Sequence, residues 1–211
     1  KVNHRKVTFK NRYGVILAAD LYEPKNVEGK LAAIAVSGPF GAVKEQASGL
    51  YAQTMAERGF LTLAFDPSYT GESGGEPRNV ASPDINTEDF SAAVDFLTAL
   101  PNVDAERIGI IGICGFGGMG LNAAAMDTRI KATVASTMYD MSRVNANGYF
   151  DAEDSADDRN KKREMMNVIR TRDAQSGTIT PGVHGLPDSI TGEEPQFVKD
   201  YFDYYKTNRG F

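Results

Sequence analysis

The stretch GIIGICGFGGMG, residues 109–120, joins a run of apolar residues to a run of small ones, and it supports two interpretations. In the first, Gly115, Gly117 and Gly120 form the G-x-G-x-x-G pattern that holds dinucleotide phosphates at the start of a helix. In the second, Cys114 occupies a sharp strand-to-helix turn that exposes a thiol nucleophile. The first interpretation predicts a cofactor-binding protein, and the second predicts a hydrolase.

The segments around this stretch alternate between strand and helix patterns, and a tight turn at residues 12–14 joins the first two strands. Strands are predicted at 5–11, 15–23, 30–36, 60–65, 107–113 and 130–137. Helices are predicted at 48–58, 86–97 and 116–126. Asn86 and Thr87 are the expected N-cap residues of the middle helix. This order predicts an α/β fold, a mostly parallel sheet with helices on both faces and an N-terminal antiparallel hairpin.

The character of the sequence changes after residue 140, where charged, loop-forming and finally aromatic residues replace the apolar runs. We therefore predict two parts, a core at 1–140 and a cap or lid-like segment at 141–211. A simple surface excursion is the alternative for the second part. Helical ion pairs are expected between Asp157 and Lys161 and between Asp158 and Lys162.

The cofactor interpretation has some support, because the glycines follow a strand and begin a helix. Asp140 also lies where a ribose-binding acid could fall. A dinucleotide fingerprint, however, belongs to the first strand–helix turn of its fold, and here four or five predicted strands come first. A nucleotide-binding oxidoreductase is therefore the distant alternative, and neither a cofactor nor a metal is expected.

The nucleophile interpretation accounts for more of the stretch. A nucleophile at such a turn has a strained backbone, and its neighbours must be small so that their Cβ atoms do not collide. Gly112 meets this need on the strand side, and Gly115 and Gly117 let the helix begin close to the sheet. The first N–H groups of that helix point at Cys114 and favour its thiolate form. A tightly packed turn with an unreactive cysteine is the alternative.

Three blocks of sequence resemble the α/β-hydrolases, in particular the dienelactone-hydrolase-like bacterial branch with a cysteine nucleophile. AVSGPFG at 35–41 stands in the place of the oxyanion loop. FDPSYTGESGG at 65–75 resembles the D-x-x-G-x-G-x-S loop, with Glu72 where many members have Gly. GICGFGG at 112–118 resembles the nucleophile elbow. The resemblance covers residues 5 to about 140 and implies the α/β-hydrolase fold.

This resemblance implies a hydrolase that acts on a small carboxylic ester or thioester through an acyl-enzyme at Cys114. It also implies an oxyanion hole made by the backbone N–H groups of Phe40 and Gly115. Two residues depart from the pattern. Phe116 stands two places after the nucleophile, where a small residue is usual, and Gly38 stands where true dienelactone hydrolases carry Glu, which argues against lactonase activity.

The other members of a catalytic triad are harder to place. The resemblance implies an acid after the seventh strand and a histidine after the eighth, but these 211 residues contain about six strands and two histidines. His4 lies before the first predicted strand, and His184 lies in a predicted loop, where a solvated or capping role is expected. Asp140 is either an alternative acid or the end of the sixth strand. We therefore expect the acid, the base and the last strands in a C-terminal region missing from this sequence, with a catalytically inactive binding protein as the alternative.

Composition narrows the class of protein further. The net charge of −5 argues against a general nucleic-acid binder, which would show a basic face. No apolar run approaches the roughly 18 residues that a membrane-spanning helix needs. With Cys114 as its single cysteine, the chain has no internal disulfide, which is compatible with a cytoplasmic location. The aromatic end of the chain is consistent with a homodimer interface.

Overall fold

The computed structural model of the protein describes residues 1–182 and 186–210. The strands in this part of the chain are β1 (Val2–Lys10), β2 (Ile16–Pro24), β3 (Leu31–Ser37), β4 (Leu61–Phe65), β5 (Val103–Ile113) and β6 (Ile130–Ser136). The helices are α1 (Ala47–Ala56), α2 (Pro83–Thr98), α3 (Gly115–Met126), α4 (Met141–Asn147), α5 (Ala156–Ser176) and α6 (Gln196–Tyr205), with a 3₁₀ turn at Tyr149–Asp151. The chain divides into two compact units, residues 1–141 and residues 142–211.

The six strands form one sheet in the order β1-β2-β4-β3-β5-β6. The β1–β2 and β2–β4 pairs are antiparallel, whereas β3 is parallel to both β4 and β5, and β5 is parallel to β6. Helices α1, α2 and α3 connect the parallel strands, as crossovers between such strands require. The predicted α/β-hydrolase fold, with its N-terminal antiparallel hairpin, is confirmed.

Burial follows from the apolar runs of the strands. All five residues of β4 are buried because helices cover both faces of the sheet. On one face, α2 and α3 contribute side chains such as Phe90 and Met119 to the larger core cluster. On the other face, Ala52 of α1 packs with Ile34, Val36 and Ala64. The carboxyl ends of β3, β4 and β5 therefore meet at one edge, where their loops build the candidate site.

The start of α2 differs from the prediction. Asn86 and Thr87 do not cap this helix; Ser82 does, and its hydroxyl accepts a hydrogen bond from the Ile85 N–H. Pro83 follows Ser82 and lacks an N–H, so it suits the first helical position. Asn86 lies in the first turn and accepts the Ser82 N–H through its side chain. The Ser-Pro pair was the better start signal.

The first strand also begins earlier than predicted. His4 lies inside β1, opposite Tyr22, because the β1–β2 ladder continues to the pair of Val2 with Pro24. The His4 ring stacks on the Tyr22 ring, and its Nε2 lies 3.0 Å from the buried carboxylate of Asp20. The prediction that His4 precedes the first strand is therefore wrong.

The charged helix α5 forms ion pairs other than those expected. Asp158 turns back toward the start of the helix, where its carboxylate accepts the hydroxyl of the N-cap Ser155. Lys161 lies 3.8 Å from Asp158, and Lys162 pairs with Glu153. The predicted pairs at a spacing of four residues do not form, since Lys161 and Lys162 lie beside Asp158 and Glu153 instead.

Candidate active site

Cys114 occupies the turn between β5 and α3 and has φ 57° and ψ −126°. A positive φ in a residue other than glycine costs on the order of 1–3 kcal/mol and persists only where the surroundings enforce it. Here the Cys114 N–H donates to Ser136 O (2.9 Å), and its carbonyl accepts the N–H groups of Gly117 (3.0 Å) and Tyr139 (3.2 Å). These three hydrogen bonds hold the turn, and the cysteine remains partly exposed.

Close packing around the turn requires small residues at positions 112 and 117. A Cβ atom on Gly112 would collide with the carbonyl of Phe116 and lie 2.8 Å from the Gly117 Cα. A Cβ on Gly117 would lie 3.0 Å from Cγ of Met138, in the segment after β6. Glycine at these positions therefore lets α3 start against the strand and lets the segment after β6 pack on α3.

Two backbone N–H groups beside the turn have no acceptor within residues 1–182 and 186–210. Neither the Phe40 N–H nor the Gly115 N–H donates a hydrogen bond to another described residue. The two residues are neighbours, since a Cβ on Gly115 would lie 3.1 Å from the Phe40 Cβ. Unpaired N–H groups at the first turn of a helix are suited to bind negative charge.

Phe116, the unusual residue two places after Cys114, points into the core. It is buried, and its ring lies 6.3 Å from the rings of both Phe90 and Phe40. The Phe116 side chain needs a glycine at position 38. Gly38 has φ +104°, and a Cβ on it would lie 2.9 Å from the Phe116 Cβ. The same crowding leaves no room for a glutamate at position 38, so the two departures from the dienelactone hydrolase pattern accommodate one another.

A buried ion pair joins the loop after β3 to the loop after β4. The Lys44 side chain has no solvent exposure, and its Nζ lies 3.2 Å from Asp66 Oδ2. The Lys44 N–H also donates to Asp66 Oδ1 (2.7 Å), and the Glu72 N–H donates to Asp66 Oδ2 (2.9 Å). The Nζ further pairs with Glu45 (2.7 Å) and Glu72 (2.6 Å). This network fixes the segment that carries Phe40.

Hydrogen bonds, charge and burial within the network shift the pKa values of Lys44, Asp66 and Glu72. Burial alone would lower the pKa of Lys44, but hydrogen bonds to Glu45 and Glu72 and the charge of Asp66 raise it above its ordinary value. Burial raises the pKa of Asp66, while the N–H groups of Glu72 and Lys44 and the ammonium oppose that shift. Hydrogen bonds from Lys44 and Lys6 lower the pKa of Glu72 to about 2.

A second buried carboxylate organises the loop after β4. Asp89 accepts hydrogen bonds from Asn11 Nδ2 (2.8 Å), from the Ser68 N–H (2.8 Å) and hydroxyl (2.7 Å), and from Asn86 Nδ2 (3.1 Å). Burial raises the pKa of Asp89, and these donors oppose the shift. The carboxylate therefore ties the loop to α2 and to the β1–β2 turn.

Among the residues that the structure describes, no histidine lies close to Cys114. His4 lies on β1, four strand spacings from β5, a distance of about 19 Å across the sheet. His184 lies outside the described residues. Asp140 directly precedes α4, in the segment that follows β6. Among the described residues, no cluster of three or more His, Cys, Asp or Glu side chains could hold a metal ion.

A polar pair beside the turn was not predicted from the sequence. The Tyr51 hydroxyl of α1 lies 3.2 Å from the Ser136 hydroxyl at the end of β6. The Ser136 carbonyl accepts the Cys114 N–H, so the pair adjoins the turn. No local signal in the sequence links residues 85 positions apart.

None of the described helices is long and apolar enough to span a membrane.

A family model described as X-Pro dipeptidyl-peptidase (S15 family) matches residues 13–180. The chain belongs to the S15 family. Solved α/β-hydrolase structures share the fold of this S15 chain, so the predicted fold is confirmed. The cysteine nucleophile stays a prediction.

The S15 chain is also similar to individual proteins. It is 65% identical to the uncharacterised protein PA2218 of Pseudomonas aeruginosa, over 100% of this chain and 56% of PA2218. The PA2218 crystal structure matches with a TM-score of 0.93, over 100% of this chain and 65% of that one. Identity to the uncharacterised protein YcjY of Escherichia coli K12 is 39%, over 98% of this chain and 68% of YcjY. Identity to a thiohydrolase of Eupenicillium brefeldianum is 33%, over 62% and 42% of the two chains. The S15 chain thus spans little more than half the length of PA2218.

Proposed function

We propose that the protein hydrolyses a carboxylic ester or thioester through an acyl-enzyme at Cys114. The observation that carries the proposal is the placement of this cysteine, which is strained, partly exposed and adjacent to two N–H groups that have no acceptor among the described residues. Strained backbone of this kind clusters at functional sites, and a thiol at a helix start is favoured as thiolate.

In the proposed reaction, the Cys114 sulfur adds to the substrate carbonyl carbon, and the N–H groups of Phe40 and Gly115 bind the oxyanion. The tetrahedral intermediate collapses, the bond to the leaving alcohol or thiol breaks, and that group takes up a proton. Water then cleaves the acyl–sulfur bond, which releases the carboxylic acid and restores the thiol. Gly112 and Gly117 permit the turn that presents the sulfur.

The proton transfers need a base and an acid. We propose that a histidine and an aspartate supply them from the part of the relatives' length that this chain does not span. His4 is too distant, on β1, and Asp140 is the alternative acid. Residues 141–211 are proposed to serve as a cap or lid-like segment, since such segments exclude water from acyl-transfer sites.

The relatives support this class of reaction. The 33% identical Eupenicillium relative is named a thiohydrolase, which favours a thioester as substrate. A thiol nucleophile also suits activated esters and thioesters more than amides. The S15 family description names an X-Pro dipeptidyl-peptidase, so cleavage after proline is the second candidate.

The test compares wild type, Cys114→Ala and Cys114→Ser on the protein as its gene encodes it. Substrates are p-nitrophenyl acetate, an acetyl thioester and Ala-Pro-p-nitroanilide. We expect turnover of the first two, and a loss of roughly 10³-fold or more in kcat/KM for Cys114→Ala because the nucleophile is gone. Intact mass after rapid quenching detects an acyl adduct in the wild type, and the adduct should be absent from Cys114→Ala.

Thr8→Ala, on the exposed edge strand β1, is the matched control and keeps wild-type rates. Full activity of Cys114→Ala would remove the nucleophile assignment. Turnover of the anilide alone would favour the peptidase. If none of the three substrates is hydrolysed and no adduct forms, the chain serves as a binding protein with a hydrolase fold.

A further inference from the structure

A small cavity lies beside the proposed oxyanion hole, between the loop after β3 and the loop after β4. Its volume is about 50 Å³. The walls include the side chains of Phe40, Pro67, Thr70, Val80, Asn86 and Phe116. The ion-pair and carboxylate networks centred on Asp66 and Asp89 hold these two loops, so the cavity is built on fixed elements.

The cavity is close to the reacting position of the proposed reaction. Phe40 supplies one oxyanion N–H through its backbone, and its side chain forms a wall. Phe116 directly follows Gly115, the second oxyanion residue, and forms another wall. The Phe40 Cβ would lie 3.1 Å from a Cβ on Gly115. A substrate carbonyl held by these two N–H groups would therefore lie next to residues that line the cavity.

The chemistry of the walls selects a neutral group. No Lys, Arg, Asp or Glu lines the cavity among the described residues. Asn86 is turned to the protein, because its Nδ2 donates to Asp89 and its Oδ1 accepts the Ser82 N–H. A charged substituent would lose its hydration here without a partner, which is strongly unfavourable.

The size of the cavity limits the group to a few atoms. One water molecule occupies about 30 Å³ in the liquid, and a cavity of roughly 150 Å³ is needed to hold benzene. A volume of about 50 Å³, about one third of that value for benzene, thus favours a chain of two or three carbons over an aromatic ring.

We infer that this cavity binds a short, neutral alkyl group of the substrate, of two to three carbons beyond the carbonyl or the ester oxygen. The inference rests on the proposed function. The alkyl group belongs either to the acyl part or to the alcohol part of the ester, and the experiment distinguishes the two sources.

Two substrate series test the inference on the protein as its gene encodes it. The first keeps p-nitrophenol as leaving group and lengthens the acyl chain from acetyl to propanoyl, butanoyl, hexanoyl and octanoyl. The second keeps acetyl and lengthens the alcohol from methyl to ethyl, propyl, butyl and hexyl. Only the series that varies the chain held by the cavity should respond. In that series kcat/KM is expected to rise about 4-fold per added methylene until the chain fills the cavity. For longer chains kcat/KM is expected to fall at least 10-fold.

Variants at Val80 test whether this cavity sets the chain length at which kcat/KM is highest. Val80→Phe fills the space, so the optimum moves to the acetyl or methyl substrate. Val80→Ala enlarges it, so the optimum moves one or two carbons longer. Val27→Phe and Val27→Ala, at an exposed turn after β2 away from these walls, are the matched controls and keep the wild-type profile.

The outcomes separate the two claims. Ester turnover with a profile that neither Val80 variant moves overturns the cavity inference and leaves the proposed function standing. If wild type hydrolyses no ester, the proposed function fails, and the cavity is then tested by the rate at which N-methyl-, N-ethyl-, N-propyl- and N-pentylmaleimide alkylate Cys114. A preference for the shorter maleimides that Val80→Phe abolishes supports the cavity, whereas equal rates in both proteins overturn it.

Discussion

The two compact units of this chain are stabilised in opposite ways. In residues 1–141, apolar strands and helices bury two core clusters, and even Lys44, Asp66 and Asp89 are inside. None of the described residues in 142–210 is buried. In that second unit, caps and ion pairs such as those of α5 and ring contacts such as Tyr149 with Phe197 lie at the surface. The same chain thus contains a unit with buried cores and a unit whose described side chains all remain at least partly exposed.

The largest difference in the free energy of unfolding is expected between variants that break a buried ion pair and variants that break an exposed one. Lys44→Met leaves the buried Asp66 carboxylate without its cation and should lower the free energy of unfolding by about 3–5 kcal/mol. Lys162→Met breaks the exposed pair with Glu153 on α5 and should cost no more than about 1 kcal/mol. Urea unfolding measures both. Equal losses would mean that burial does not distinguish the two units.

Truncation of an apolar side chain should also destabilise the first unit more than the second, with a somewhat smaller difference in the free energy of unfolding. Leu97 of α2 is fully buried, and Leu97→Ala should destabilise by about 3 kcal/mol through lost contacts and a residual cavity. Val168 of α5 is 70% exposed, and Val168→Ala should stay within about 0.5 kcal/mol of wild type. Thermal unfolding of both variants and of the wild type measures the two losses of stability. A large loss for Val168→Ala would show that α5 packs against something in solution.

Relief of backbone strain should have a smaller effect, of opposite sign. Cys114→Gly accepts φ 57° without penalty and should stabilise the first unit by about 1 kcal/mol while activity is lost. Phe150 has φ 58° in the second unit and is almost fully exposed, so Phe150→Gly tests strain relief with little lost packing. Denaturant midpoints report both variants. Destabilisation by Cys114→Gly would show that the turn is held by the side chain of the cysteine.

The smallest effect is expected on the loss of stability at acidic pH. The folded pKa of Glu72 is about 2, below its ordinary value of 4.5, so its stabilisation is present above about pH 4.5 and is lost as the pH falls toward 2. Glu72→Gln should flatten this dependence for the first unit. Glu194→Gln, whose glutamate also has a pKa of about 2 from Thr191 and neighbouring N–H groups, should leave it in place.

Hydrogen exchange of peptides from β3 to β5, measured between pH 5 and pH 2.5, reads out the first unit by itself. The prediction fails if the two glutamine variants change the acid dependence of these peptides equally, because the sensitivity would then come from elsewhere than the Lys44 network.

The fold and the candidate site were predictable to different extents. Continuous apolar runs predicted β3 to β6 because a buried strand needs such a run whatever its partners are. The start of α2 was misplaced because Asn86 and Thr87 are good caps in isolation, but the Ser82–Pro83 signal comes earlier. His4 was misplaced because its strand is defined by pairing with β2 and lacks an apolar run of its own.

The sequence by itself determined the alternation of strands and helices, and the small residues that a sharp turn at Cys114 requires. Both are local properties, set by a residue's own side chain and its near neighbours. Only the tertiary structure decided that Phe116 fills the core beside Gly38, that Lys44 is buried against Asp66, and that Phe40 lies next to Gly115. These contacts join residues 22 to 78 positions apart, and which of many polar and aromatic side chains meet depends on strand order and loop path.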